Sequence, residues 1–368
     1  MNNKFNDLKN MKREKLEKLA FEKSSPCVTI SMNTHRTAPD NQEDIVGLKN
    51  LLKEAYERVV NEYGKRPVAE LLEKIDNLES DIDVNYNLES LHIFLSNSTK
   101  EIVRSSYPVL HNTVHVSGNF AVKPLIKDFN RTTDYLILVL SQSDVPLFHA
   151  INNGIAGEIN NDDFPFIKKP PVLTDKDKLS DAKKGDNIVR EFFNKIDKAV
   201  VRMHHKTDLK CVVICTEDNY SRLMQVADIP SIYLGHASIN YNNTANHTIA
   251  IDAWQIVKEF QKQTRTIAIK EMQEAVGQGK VITDLAKILR AVKEGRGDLL
   301  ITHDDYHQSV VMTGEYTFDL VNDVTLPGAI DDISSDIAWE VISKKGRAIF
   351  TSQEEFRSLG DIALKVRY

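Results

Sequence analysis

No run of eighteen or more apolar residues occurs in this 368-residue chain, so no membrane-spanning helix is expected. The opening residues, MNNKFNDLKNMKREKLEKLAFEK, have no apolar core of the kind a secretory signal needs. Cysteine is scarce. Cys27, Cys211 and Cys215 are too few, and odd in number, for a disulfide framework. These absences make the cytoplasm the expected compartment and exclude a membrane partner. No GxxxxGK[ST] loop is present, nor a GxGxxG following a strand, so no nucleotide site is expected. HExxH, CxxC and GxSxG are also missing, and with them the usual signatures of zinc proteases, metal clips and serine hydrolases. A basic excess is lacking too. The net charge of −6 argues against a general coat for RNA or DNA, and DNA is not an expected partner.

What the chain does have is a globular balance, 41% apolar and 27% charged. Its length suits two or three domains. One region breaks the acidic trend. Between Pro165 and Lys210 there are twelve Lys or Arg against seven Asp or Glu. Lysine-rich solvated surface is the plain reading of such an excess.

Periodicity predicts an exposed helix over 7–23, a strand at Cys27–Met32 and a polar loop, NTHRTAPDNQED, with Pro39 and Asp40 as turn formers. Ile45, Leu48, Leu51, Leu52, Ala55 and Val59 recur at helical spacing. Gly64 and Pro67 then mark a stop and a new start, followed by VAELLEKIDNLESDI. Leu91–Leu95 and Val114–Val122 read as strands. From Tyr135 onward, strands YLILVLS and PLFHAI precede a polar stretch from Asn160 to Asn187, then a helix over Ile188–His204 and the strand CVVIC. Further on, Asp284 is placed to cap a helix that Gly295 ends, and DLLIT, RAIFT and ALKVR read as strands. Strand–helix alternation throughout predicts a mixed α/β fold in three domains, at 1–128, 129–263 and 264–368.

Two sets of residues invite chemistry and are better explained without it. Cys211 and Cys215 are four apart on a strand and share a face, with His204-His205 near in sequence. Buried structural thiols are the expectation, and zinc would need further ligands. The acidic pairs Asp304-Asp305, Asp331-Asp332 and Asn161-Asp162-Asp163 sit in turn-like contexts and read as caps and turns. A metal-dependent nuclease built on them remains the outlying alternative. No metal, cofactor or catalytic residue is assigned.

In order along the chain, Pro26-Cys27-Val28-Thr29-Ile30-Ser31-Met32-Asn33-Thr34-His35-Arg36 with the helix after it, Val122-Lys123-Pro124-Leu125, the Tyr135–Ile159 hairpin, the Ile188–His204 helix with CVVIC, Ile282-Thr283-Asp284-Leu285 through Gly295-Arg296-Gly297-Asp298, and the closing ALKVRY resemble one family. That family is the archaeo-eukaryotic class 1 release factors and Pelota proteins, in their bacterial branch. The resemblance implies three domains shaped somewhat like tRNA, the last sharing its fold with kink-turn binders. It implies a ribosome ligand. The first domain would face the decoding centre through Thr34, His35 and Arg36, and through Lys65 and Arg66 between two helices. The middle domain would face the peptidyl-transferase centre through the stretch before its long helix, Lys183, Lys184, Gly185, Asp186 and Asn187.

Family members that release peptides carry Gly-Gly-Gln in that stretch. Here one glycine remains and the glutamine is absent. The resemblance therefore points to an A-site occupancy or hibernation factor, not an enzyme, contacting small- and large-subunit rRNA, with elongation factor Tu as the delivery partner it implies. The alternative is a rescue or release factor promoting peptidyl-tRNA hydrolysis, with Asn187 replacing the glutamine.

Overall fold

The structure is a computed structural model that describes residues 14–140, 144–166, 182–238, 245–324, 326 and 328–368, with the backbone alone for 182–186. It is mixed α/β. By packing, the chain forms two compact units. Unit one spans Thr132–Thr266. Unit two joins 14–131 with Ile267–Tyr368.

Unit two begins with α1 (14–21), whose Leu16 and Leu19 turn inward and bury, so this helix is less exposed than its charge suggests. The alternating residues CVTISM lie in β1 (Lys23–Asn33). Next come α2 (Asn41–Tyr63) and α3 (Ala69–Asp81), then β2 (Ser90–Leu95), β3 (Lys100–Ser105) and β4 (Thr113–Asn119). The four strands are antiparallel in the order β3-β2-β1-β4. Because successive strand residues face opposite ways, Val28, Ile30 and Met32 meet the apolar stripes of α2 and α3, while Cys27 and Phe94 face the other way. A further helix, α4 (Lys123–Arg131), was not expected from sequence. Pro124 reads as a breaker, but in the first helical turn its missing N–H costs nothing.

Unit one carries β5 (Asp134–Val139), β6 (Leu147–Ile151) and β7 (Gly154–Glu158). The β6–β7 hairpin turns through Asn152, whose φ of 51° suits asparagine. There follow α5 (Ala182–Thr207), β8 (Cys211–Ile214), α6 (Glu217–Met224) and β9 (Tyr233–Ala237). The sheet order is β7-β6-β5-β8-β9, with β5, β8 and β9 parallel. Helix α5 buries Phe192, Phe193, Ile196 and Val200 on one face of this sheet. The other face packs Tyr135, Ile137 and Val212 against Ile249, Ala253 and Val257 of α7 (Asn246–Val276). Helix α7 runs through 31 residues, and the division between units falls inside it.

From Ile267 the chain returns to unit two. The elements are β10 (Val281–Ile282), α8 (Leu285–Lys293), β11 (Gly297–His303), β12 (Val310–Met312), β13 (Phe318–Leu320), β14 (Ala329–Ile330), α9 (Ile333–Ser343), β15 (Arg347–Thr351), α10 (Glu354–Arg357) and β16 (Ile362–Val366). One sheet runs β10-β16-β11-β15, with β11 and β15 parallel, and a small sheet runs β13-β12-β14. As its position predicts, Asp284 caps α8, accepting from the Lys287 N–H at 2.9 Å. Helices α8 and α9 bury Ile288, Val292, Ile337 and Val341 in one continuous cluster with Phe94, Phe120, Val122 and Ile126 from the first part of the chain. Unit two is therefore held by a core drawn from both ends of the sequence. No helix of the described residues is long and apolar enough to cross a membrane.

Candidate functional site

The turn between β1 and α2 carries Thr34, His35 and Arg36. Thr34 is buried. Its N–H donates to the Glu89 carbonyl and its hydroxyl to the Leu88 carbonyl, each at 3.0 Å. The His35 N–H donates to Asp44 Oδ2 at 2.9 Å, and its Nδ1 meets Asp44 Oδ1 at 2.8 Å. Asp44, in the first turn of α2, is itself buried and accepts from Asn87 Nδ2 at 3.0 Å. The hydrogen bond to Asp44 raises the His35 pKa, favouring imidazolium. Arg36 Nε donates to Glu89 Oε1 at 2.8 Å on the surface. All three side chains thus help build the turn. With 51% of its side chain exposed, His35 still offers an imidazole edge that a phosphate can meet.

Lys65 and Arg66 lie in the reversal between α2 and α3, where Gly64 takes φ 71°. Both are exposed, and Lys65 Nζ stands 5.9 Å from the Tyr56 ring centroid. They do not join the Thr34–Arg36 turn. The two sets flank opposite ends of α2, whose 23 residues span roughly 34 Å. If both touch RNA, they touch separate segments of it.

Lys183, Lys184, Gly185, Asp186 and Asn187 were expected in a loop before the long helix. The backbone is helical from Ala182, so they form its first turns instead. Sequence gave no warning. The apolar stripe that announces α5 starts only at Val189, and a helix end without apolar residues leaves no periodic trace. Asn187 is exposed. Of the polar stretch before the helix, 167–181 lies outside the described residues.

Cys211 and Cys215 share a face, as the four-residue spacing predicts, and both pack under α5. Burial pushes the Cys215 thiol up to about 12 and that of Cys211 higher still, so neither is a ready thiolate. The His204 Nδ1 is bonded locally to the Leu209 carbonyl oxygen at 2.9 Å.

The acidic pairs are engaged in structure. Asp163 pairs with Arg202, and Asp304 with Arg131 at 2.9 Å and Lys127 at 3.5 Å. Asp331 and Asp332 open α9 and gather cations from the first part of unit two. Asp331 takes the Arg58 guanidinium through both oxygens at 3.1 and 3.2 Å. His115 Nδ1 stands 3.2 Å from the same carboxylate but off the line of a hydrogen bond. Asp332 caps α9 through the Ser334 N–H at 3.0 Å and holds Lys123 Nζ at 2.9 Å. Burial would raise its pKa, yet Lys123 and Ser334 hold it below the ordinary range. Beside them Asp336 lines a small pocket with His115 and Asn119, and burial pushes its carboxyl up to about 6. Sequence reading singled out Asp331-Asp332 as turn residues but gave no hint of Arg58 and His115, which lie more than two hundred positions away.

Residues 134–296 match the model of bacterial archaeo-eukaryotic release factor family 3. No curated protein matches the chain. Among solved structures, the archaeal translation termination factor aRF1 is 12% identical over 98% of both chains, with a TM-score of 0.26. Archaeal Pelota, from a ribosome-bound assembly with ABCE1, is 14% identical over 76% of this chain and 72% of its own, at 0.40. Archaeoglobus fulgidus Pelota is 12% identical over 96% and 91%, at 0.39.

Proposed function

We propose that this protein is a ribosome-binding translation factor that occupies the A site and holds the ribosome idle, without cutting peptidyl-tRNA. The observation that carries the reading is the start of α5. In release factors a flexible Gly-Gly-Gln tip brings backbone and an amide to the ester. Here Lys183–Asn187 holds one glycine and no glutamine, and no Gly-Gly pair exists anywhere in the chain. The helical backbone from Ala182 supports the same reading, since a helical turn does not offer an extended tip. The family match over 134–296 supports the link to translation. The role proposed is like that of the hibernation factor Balon. Small- and large-subunit rRNA are the proposed contacts, with elongation factor Tu as the delivery partner.

Purified ribosomes, empty or carrying tRNA in the A site, should be sedimented with the protein at two salt concentrations. Binding to empty ribosomes alone, weakened by salt, supports the reading. A parallel hydrolysis assay on stalled ribosomes should show no release of peptide. Clear turnover, lost in Asn187→Ala, would replace it with a rescue factor. Asparagine is one methylene short of glutamine, and a misplacement of about 1 Å costs roughly a hundredfold.

A further inference from the structure

The outer face of α5 is basic in an acidic protein. From Ala182 to Thr207 there are seven Lys or Arg and three Asp or Glu. One of those acids, Asp197, is fully buried, accepting from the Tyr233 hydroxyl at 2.8 Å and the Asp228 N–H at 2.9 Å. The opposite face of the helix is committed to the core of unit one. Outward stands an exposed row: Lys195, Lys198, Arg202, His205 and Lys206, with Glu191 the acid at its upstream end. Their spacing of three, four, three and one keeps them on one side of the helix. From Lys195 to Lys206 the row runs about 16 Å.

Two cations in the row are held by acids. Lys195 pairs with Glu191, and Arg202 makes a two-pronged contact with Asp163, whose carboxyl it holds below the ordinary range, with Lys206 adding to the effect. Lys198 makes no ion pair among the described residues. Lys198, Arg202 and Lys206 follow one another at four-residue spacing, where like charges repel. A polyanion with regularly spaced charges resolves that repulsion.

We propose that this face of α5 is a phosphate-backbone contact for structured RNA. Backbone contact without base readout fits flexible lysines on a rigid helix. In the setting of the proposed function the RNA is ribosomal, and to that extent the inference rests on that reading.

Two probes separate the ideas: purified empty ribosomes and a short RNA hairpin. Lys198→Gln with Lys206→Gln should weaken binding to both and lower the slope of log affinity against log salt by about one per lysine. Glu191→Gln, which frees Lys195, should tighten binding severalfold, a gain that misfolding cannot mimic. Unchanged affinity and slope in the double variant, with wild type binding normally, would overturn the proposal and leave the A-site reading intact. If wild type ignores ribosomes but binds the hairpin through these lysines, the A-site reading fails and the RNA face stands. If polyglutamate competes as well as RNA at equal charge, the face belongs to an acidic protein partner and the proposal falls.

Discussion

Single side chains in unit two differ sharply in what they hold. Arg58 and Asp331 are nearly buried, with 12% and 5% of their side chains exposed. Asp331→Ala strands a guanidinium away from water and should cost roughly 3 kcal/mol in urea unfolding. Arg36→Ala, at the surface pair with Glu89, should cost less than about 0.5 kcal/mol. Asp336 gives a signature in pH. Its folded pKa, about 6, lies above that of an unfolded aspartate, near 4. The folded chain therefore binds the extra proton, and the carboxyl opposes folding increasingly as pH rises from about 4 through 6. Lys293 and Asn119 ease this, while Asp332 and Glu340 worsen it. Asp336→Asn should thus gain stability over wild type at pH 7 and gain little at pH 4. A gain independent of pH would assign the effect to packing.

At the scale of elements, close approach decides which glycines matter. A Cβ at Gly346 would stand 2.6 Å from Val341 Cγ1 and 3.0 Å from the Gly297 carbonyl oxygen, where α9 hands over to β15. Gly346→Ala should lower stability by about 1–3 kcal/mol. Gly118, in β4, has open space around its missing side chain, and Gly118→Ala should be nearly neutral in the same melt. Elements with a long apolar stripe were readable from the chain alone: α2, α3, the body of α5, and the strands β1, β5, β8 and β11. Those that escaped have weak stripes or misleading punctuation. β3 is only partly buried, β7 is interrupted by glycine, and α4 opens with Lys-Pro. α4 also hides its role. Lys123, Lys127 and Arg131 fall on one side at four-residue spacing, and each reaches an acid or carbonyl of the last hundred residues. Their partners lie some 175 to 210 positions away, beyond any local pattern. The candidate contacts split the same way. Residue types at Thr34–Arg36 and Lys65-Arg66 were visible in sequence, but not that a helix separates them.

For the whole molecule, the decisive fact is that unit two shares one core between the start and the end of the chain. A protein ending at Thr266 would expose Phe94, Phe120, Val122 and Ile126. Its first 131 residues should lose cooperative unfolding and protection against protease, while residues 132–266 keep theirs. Retained protection across β1–β4 would show that the first sheet needs only α2 and α3. The same arrangement has a consequence for synthesis. The first sheet leaves the exit tunnel with one face bare, and its covering helices α8 and α9 are still unmade. At ~5–20 residues per second, tens of seconds pass before they appear. During that time the nascent chain displays an apolar surface beside the unpaired cations of Arg58 and Lys123, which makes it a natural client for a chaperone waiting at the ribosome.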